Sequence, residues 1–197
     1  VLELIFEADF ADSSYGFRPK KSAHDAVREI YKYLNWGCTE VYDVDVEQYF
    51  DTVDHGKLMK LVARRISDGE ILRVMKLWLS CGYIEDGQHR HSNRGTPQGG
   101  VISPLLANIY LNPVDQAFER KGLGAIRNGS IHLIRYADDM VILAQRNMDE
   151  GIALLDQYMK RLGLRINREK TRRLKLSIGE SVDFLGFRFH NVRSRKT

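Results

Sequence analysis

The sequence has few cysteines and no long apolar run, and both absences narrow what the chain can be. Cys38 and Cys81 match no zinc-ligand or CxxC spacing and give no reason to expect a disulfide framework. We therefore expect a reducing, intracellular compartment. No apolar stretch approaches the roughly 18 to 20 residues of a membrane span, and no basic-then-apolar leader opens the sequence. We expect a soluble chain with no membrane partner.

The charge excess is also small. A net charge of +4 and a pI of about 9.0 suit a polyanionic partner without requiring one. The 197 residues are enough for one sizeable core, so a single compact domain is the default expectation. The sequence begins at Val1, inside a helix-like stretch and without an initiator methionine, from which we expect a piece of a longer protein.

Helical and strand-like patterns alternate along the chain and predict an α+β fold, with an antiparallel sheet packed against helices. Capping residues and apolar spacing predict helices from Ser22 to near Gly37, from Asp54 to about Ile66, from Glu70 to Cys81, from Ser103 through a kink at Pro113, and from Asp149 to Leu162. Hairpins are predicted at Asp86-Gly87 and over 131–143, and strands over about 172–178 and 182–189 flank a turn at Gly179-Glu180.

Acidic residues interrupt two of the predicted strands. In "VYDVDV", residues 41–46, Asp43 and Asp45 share one face of a strand. In "IHLIRYADDMVI", residues 131–142, Asp138 and Asp139 stand at the tip of an otherwise apolar hairpin. If these strands are neighbours in one antiparallel sheet, the carboxylates of Asp45, Asp138 and Asp139 meet at one end of it.

Such carboxylates raise one another's pKa unless a cation neutralises them. Hard oxygen ligands suit Mg²⁺, with Mn²⁺ as the alternative, and two ions about 3.5 to 4 Å apart serve in-line phosphoryl displacement. An ordinary polar hairpin tip is the other interpretation of "YADDM", because Asp is a good turn residue. Asp43 has three interpretations: a metal ligand, a salt-bridge partner or a solvated edge residue.

Six segments, in order, resemble the reverse transcriptases encoded by bacterial group II introns and their maturase relatives. They are "SYGFRPKKSAHDAV" (14–27), "DVDVEQYFDTVDH" (43–55), "RGTPQGGVISPLLANIYLN" (94–112), "YADD" (136–139), "LGLRINREKT" (162–171) and "DFLGF" (183–187). The resemblance implies a polymerase palm with part of the fingers. Residues 1–40 would be partial fingers and palm-entry helices, and residues 41–197 the palm with its primer-grip hairpin. We expect the upstream fingers strands and the downstream thumb and maturase domain to be absent.

The resemblance also implies an activity and its partners. Members of the family are RNA-directed DNA polymerases. In their reaction the primer 3′-hydroxyl attacks the α-phosphate of a dNTP, with two Mg²⁺ ions as cofactor. RNA template, DNA primer and dNTP are the implied partners, with intron RNA added for the full-length parent. Asp45 and Asp138 would hold both metal ions, Asp139 would be the more peripheral carboxylate, and Val46 would lend its backbone carbonyl to a metal.

Further residues match nucleotide-binding positions of the family. Phe50 would lie under the sugar of the incoming nucleotide and exclude a 2′-hydroxyl; a plain core aromatic is the alternative. Gln98 resembles a residue that touches the nucleotide. Gly99 and Gly100 would let the backbone approach template or nucleotide, or would merely form a turn.

Four more residues complete the implied site. Lys170 would approach the leaving pyrophosphate, or is solvated. Arg18 would contact template or triphosphate, or would brace Asp9 or Asp12. Leu185 and Gly186 would grip the primer end, or are a core leucine beside a bulge glycine. A basic cluster would then line the nucleic-acid channel, or form a solvated face: Arg161, Arg165, Arg168, Lys170, Arg172, Arg173 and Lys175.

Two other functions compete with DNA synthesis. One is an RNA-binding splicing maturase with vestigial polymerase activity, which the presence of Asp45, Asp138 and Asp139 opposes. The other is an RNA-dependent RNA polymerase, which Phe50 opposes because such an enzyme must admit the 2′-hydroxyl.

Overall fold

Helices and strands follow one another in the mixed order that the sequence predicts. The computed structural model describes residues 2–80, 83–85, 88–90, 94–96, 100–120 and 131–190. The helices are α1 (Leu2–Glu7), α2 (Ala23–Asn35), α3 (Tyr49–Thr52), α4 (His55–Val62), α5 (Gly69–Ser80), α6 (Ser103–Arg120) and α7 (Met148–Leu162). The strands are β1 (Glu40–Val44), β2 (Tyr83–Glu85), β3 (Gln88–Arg90), β4 (Ile131–Tyr136), β5 (Asp139–Ala144), β6 (Arg172–Lys175), β7 (Ser181–Phe184) and β8 (Phe187–His190).

Two helices begin at the predicted caps. Ser22 and Asp25 form a reciprocal capping box at the start of α2. The Asp54 carboxylate accepts a hydrogen bond of 2.8 Å from the Lys57 N–H at the start of α4. α6 contains Pro113 and continues as one helix to Arg120, although a proline inside a helix removes one backbone hydrogen bond and crowds the preceding turn. The kink at Pro113 stays a prediction.

The central sheet is antiparallel, with the strand order β4-β5-β1-β6. Strand alternation sends Tyr42 and Val44 into a core shared with the helices α4 to α7, and sends Val41 and Val141 into a second core shared with α2 and the hairpin β7–β8. Both faces of the sheet are therefore covered, and the predicted α+β fold is confirmed. The proposed division of the chain at residue 41 stays a prediction.

The end of the chain differs from the predicted pair of strands. The first predicted strand is shortened to β6 by a 3₁₀ turn at Leu176–Ile178. The second, predicted over 182–189, is wrong as a single strand, because it folds back into the hairpin β7–β8. Leu185 and Gly186 form its tip with φ angles of 50° and 81°, so both adopt the left-handed geometry of a tight hairpin turn.

A second small hairpin pairs β2 with β3, with Glu85 opposite Gln88. The predicted turn residues Asp86 and Gly87 lie outside the described residues. Among the described helices, none is both long and apolar enough to cross a bilayer.

One polar side chain on β4 is buried with a ring nitrogen that accepts or donates no hydrogen bond among the described residues. The His132 ring is 8% exposed and stacks on the Tyr33 ring with centroids 3.6 Å apart, and the unpaired atom is Nε2. The His132 pKa is lowered to about 4, chiefly by burial and to a smaller extent by Lys32, while Glu29 opposes the shift. The imidazole is therefore neutral at pH 7.

This burial makes folding stability depend on pH. The pKa is lower in the folded state than its ordinary value of 6.5, so the unfolded state binds more protons and stability is lost as pH falls from about 6.5 towards 4. Replacing His132 with phenylalanine keeps the stacked ring and removes the titration. Between pH 7 and pH 5 we expect the wild-type protein to lose about 2 kcal/mol more unfolding free energy than His132→Phe. Urea denaturation at both pH values measures this difference, and equal losses would contradict the burial argument.

Candidate active site

The acidic residues gather at one end of the central sheet. Tyr136 pairs with Asp139 across the hairpin turn made by Ala137 and Asp138. On the neighbouring strand Val44 pairs with Met140, so Asp45, the next residue of the chain, follows β1 out beside this turn. The strands therefore bring Asp45, Asp138 and Asp139 to the same end of the sheet, as the sequence predicts.

The backbone of Asp45 is held by hydrogen bonds to the segment that precedes β6. The Asp45 N–H donates to Thr171 Oγ1 at 3.1 Å, and the Asp45 carbonyl accepts from the Asn167 N–H at 2.9 Å. Val46 forms an isolated antiparallel bridge with Ile166. Thr171 and Asn167 thus fix the direction in which Asp45 leaves the sheet, a role that sequence patterns do not indicate.

The acids lie close enough to influence one another's pKa. The pKa of Asp139 is raised by the loss of surrounding water and then by the charges of Asp138, Asp43 and Asp45. Burial also raises the pKa of Asp43, against the lowering effect of Arg172. These carboxylates therefore repel one another, and a cation at this edge would relieve the repulsion.

Asp43 has a salt-bridge partner within the described part of the domain. Its Oδ2 atom lies 3.3 Å from Nη2 of Arg172, on the neighbouring strand β6. Of the three interpretations of Asp43, the structure favours the salt bridge.

The remaining acids fit a divalent metal by donor type. All are carboxylates, which hard cations prefer. In the described part of the chain, however, no group of three or more His, Cys, Asp or Glu side chains is arranged to hold a metal ion as it stands. The fit therefore rests on donor chemistry and on the shared edge of the sheet.

A cleft of about 600 Å³ opens beside Asp45. Its lining is Asp45, Val46, Glu47, Gln48, Ile166, Asn167, Arg168, Glu169 and Lys170. Lys170 is exposed, and its ammonium group has no carboxylate partner in the described residues. The cleft thus places a lysine on the same surface as the predicted ligands Asp45 and Val46.

Comparison with known proteins identifies the family. The family described as "Reverse transcriptase (RNA-dependent DNA polymerase)" matches residues 1–189. The chain belongs to the reverse transcriptase family. The predicted relationship to group II intron-encoded reverse transcriptases and maturases is confirmed by its relatives.

Two of these relatives are bacterial proteins. The chain is similar to Protein YkfC of Escherichia coli (strain K12), with 35% identity over 98% of this chain and 59% of the relative. It is also similar to the group II intron-encoded protein LtrA of Lactococcus lactis subsp. cremoris, with 40% identity over 59% of this chain and 19% of the relative. The chain thus spans about three-fifths or less of these relatives.

Solved structures of telomerase share the fold. The telomerase of Candida albicans, in a structure with a fragment of telomeric RNA, has a TM-score of 0.74 and 16% identity, over 95% of this chain and 35% of that one. The apo telomerase of Candida tropicalis has a TM-score of 0.71 and 14% identity, over 96% of this chain and 38% of that one. At this identity the likeness concerns the fold alone.

In this reverse transcriptase domain, Phe50 lies in α3, directly after the segment that carries Asp45 and Val46. Its ring is half-buried against the first core and meets Tyr49 edge-on at 5.2 Å. The Phe50 carbonyl accepts a hydrogen bond of 2.7 Å from the Thr96 N–H. A Cβ on Gly95 would lie 3.2 Å from that carbonyl. Gly95 therefore permits a close approach between two segments of the domain's own backbone, whereas the approach predicted for Gly99 and Gly100 is to template or nucleotide.

The other predicted nucleotide and primer contacts have different outcomes. Gln98 and Gly99 lie outside the described residues. Leu185 is partly buried against the second core, and with Gly186 it forms a hairpin tip rather than a bulge. The gate role of Phe50, the pyrophosphate role of Lys170 and the primer-grip role of Leu185 and Gly186 stay predictions.

Arg18 is an internal brace in this structure. Its side chain is 5% exposed, and Nη2 lies 2.7 Å from the Glu7 carboxylate. Nη1 donates to the carbonyls of Ala11 and Ser14 at 2.5 and 2.7 Å. The bracing alternative is therefore correct, although its acidic partner is Glu7 and not Asp9 or Asp12. A contact of Arg18 with template or triphosphate stays a prediction that this geometry does not favour.

The basic cluster is partly neutralised within the domain. Arg168 pairs with Asp156 at 2.8 Å, and Arg173 pairs with Glu40 and Asp149 at 3.2 and 2.7 Å. With Arg172 held by Asp43, several of the predicted channel residues already have carboxylate partners. Their positive charge is correspondingly less available to a phosphate backbone.

Sequence reasoning also missed a buried ion pair behind the acidic turn. Arg135 of β4 and Asp115 of α6 are both completely buried, 2.6 Å apart. A signal was present in the sequence, since Arg135 interrupts an apolar strand just before "YADD".

Proposed function

We propose that the domain catalyses RNA-directed DNA synthesis, in which a primer 3′-hydroxyl attacks the α-phosphate of a dNTP. The observation that carries this proposal is the gathering of Asp45, Asp138 and Asp139 at one end of the sheet, where Asp45 also lines a cleft of about 600 Å³. Membership of the reverse transcriptase family supports the same chemistry.

Each residue has a proposed role in this reaction. Asp45 and Asp138 would hold two Mg²⁺ ions, or Mn²⁺ in their place, with Asp139 more peripheral and the Val46 carbonyl as a further ligand. When bound, such ions supply Lewis-acid stabilisation of the attacking and leaving oxygens. The Lys170 ammonium group, in the same cleft, would neutralise the departing pyrophosphate. Phe50 would support the sugar and leave no room for a 2′-hydroxyl.

The proposed partners are an RNA template and a DNA primer, with intron RNA added for the full-length gene product. Relatives that are named for group II introns support the choice of intron RNA. Those basic residues without an internal carboxylate partner would contact the phosphate backbone, so binding should weaken as salt rises.

A primer-extension assay with the full-length gene product tests the proposal. On a primed RNA template we expect extension with dNTPs, dependence on added Mg²⁺ or Mn²⁺, and little extension with rNTPs. A reaction with unprimed template is the control. Efficient synthesis from rNTPs would favour an RNA polymerase instead. RNA binding and splicing activity with no extension would favour a maturase whose polymerase activity is vestigial.

A further inference from the structure

All three nitrogens of the Arg135 guanidinium group donate hydrogen bonds in the interior of the domain. Nε and Nη2 donate in parallel to the two carboxylate oxygens of Asp115, at 2.9 and 2.6 Å. Such bidentate pairs fix the orientation of the guanidinium plane. Because burying two charges costs much of what their attraction returns, a buried ion pair is weak evidence for stability alone. The geometry of the Arg135–Asp115 pair is better explained by the other groups to which Arg135 donates hydrogen bonds.

The remaining donors of Arg135 reach the acidic turn and its supports. Nη1 donates to the Ala137 carbonyl and to Asn108 Oδ1, both at 2.8 Å, and Nη2 donates to Ser14 Oγ at 2.7 Å. Ala137 is the residue directly before Asp138, and its φ angle of 58° is in the left-handed region. Alanine adopts that region reluctantly, so the surrounding contacts must impose it.

Residues 13–16, near the start of the chain, also contact the acidic turn and the strand that leads into it. The Tyr15 N–H donates to the Arg135 carbonyl at 2.8 Å, and the Arg135 N–H donates to the Ser13 carbonyl at 2.9 Å. A Cβ on Gly16 would lie 2.3 Å from the Ala137 nitrogen. No side chain fits at Gly16 unless the turn moves.

Asn108 links these supports to one another. Its Nδ2 atom donates to the Gly16 carbonyl at 2.8 Å, and its Oδ1 atom accepts from Arg135. Ser14, Gly16, Asn108 and Arg135 therefore form one connected set of contacts around the peptide that carries Asp138. We name this set the turn clamp.

We propose that the turn clamp is a positioning device that holds the Asp138 carboxylate in its productive orientation. The proposal rests on the proposed function, because the orientation matters only if Asp138 serves the reaction. Reaction rates are very sensitive to such positions, and a displacement of about 1 Å can cost about a hundredfold. The members of the clamp act through the backbone of the turn and need no contact with substrate.

Gly16→Ala and Ser14→Ala test the clamp in the full-length gene product. Gly16→Ala displaces the turn, and Ser14→Ala removes one Arg135 hydrogen bond. Ile30→Val is the matched control, because it trims a buried side chain of the second core that touches no clamp residue in the contacts above. We expect kcat for dNTP incorporation to fall about a hundredfold in Gly16→Ala and about tenfold in Ser14→Ala, at equal folded fraction. KM for dNTP should change less than about threefold, and Ile30→Val should retain wild-type kcat.

Hydrogen–deuterium exchange supplies a second measurement that does not need activity. Amides of residues 136–140 should exchange at least about tenfold faster in both clamp variants than in wild type or Ile30→Val. If the wild type makes no DNA, the proposed function fails while exchange still tests the clamp. If Gly16→Ala does not fold, Ser14→Ala decides. Unchanged exchange, or a kcat that falls only with the folded fraction as in Ile30→Val, would overturn the inference.

Discussion

Replacing Asp138 with asparagine is expected to reduce primer extension on the order of a thousandfold, equivalent to about 4 kcal/mol of lost transition-state stabilisation. The side chains are nearly the same size, and asparagine is also a good turn residue, so the hairpin should persist. What is lost is a negative charge at the edge where Asp138, Asp139 and Asp45 influence one another. Steady-state primer extension with dNTPs measures the effect, and Asp45→Asn is expected to behave in the same way.

Asp43→Asn is the matched control for these substitutions. It removes a carboxylate from the same strand as Asp45, but one that is paired with Arg172 at 3.3 Å. We expect less than about a tenfold loss, because Arg172 is largely exposed and its charge is readily solvated. Equal losses in Asp43→Asn and Asp45→Asn would mean that the wrong acid of this pair is assigned to the metal. Appreciable synthesis by Asp138→Asn would contradict the metal assignment itself.

Phe50→Ala is expected to change which nucleotide is accepted. If the ring excludes the 2′-hydroxyl, removing it should raise the ratio of rNTP to dNTP incorporation on the order of a hundredfold. The change should come mainly from rNTPs, since the space that opens is needed only by the extra hydroxyl. Single-nucleotide incorporation, expressed as kcat/KM for matched dNTP and rNTP, measures this ratio.

Phe50→Tyr is the companion variant, because it keeps the ring. It should retain the preference for dNTPs. Unchanged discrimination in Phe50→Ala would show that the ring is not the gate. The half-buried position of Phe50 against the first core would then be explained by packing alone.

The elements that the sequence predicts well are those with strong local signals. Ser22 and Asp25 predict a capping box. The alternation of side-chain types over residues 41–46 predicts a strand with acids on one face. The meeting of Asp45 with the hairpin tip required one further assumption, that the strands are neighbours. The pairing of β1 with β5 bears it out.

The missed features depend on contacts between residues far apart in sequence. Nothing local to Asp115 shows that it lies in the interior opposite Arg135, because a charged residue in a helix usually faces water. The residue pattern over 182–189 predicts a single strand, and only the resemblance implies a hairpin at Leu185 and Gly186, because leucine is not a typical residue for a turn with positive φ at both central positions. In both cases tertiary packing imposes what local preference does not favour.

The hydrogen bonds to the Asp45 backbone have a consequence for folding during translation. The amide and carbonyl of Asp45 are held by Thr171 and Asn167, so this part of the pocket stays open until translation has passed residue 171. Ser14 likewise leaves the ribosome long before Arg135, its hydrogen-bond partner 121 residues further on. A nascent chain therefore carries Asp45 for a further 126 residues before Thr171 is made, and a chain that stops short of residue 171 lacks this hydrogen bond to the Asp45 backbone.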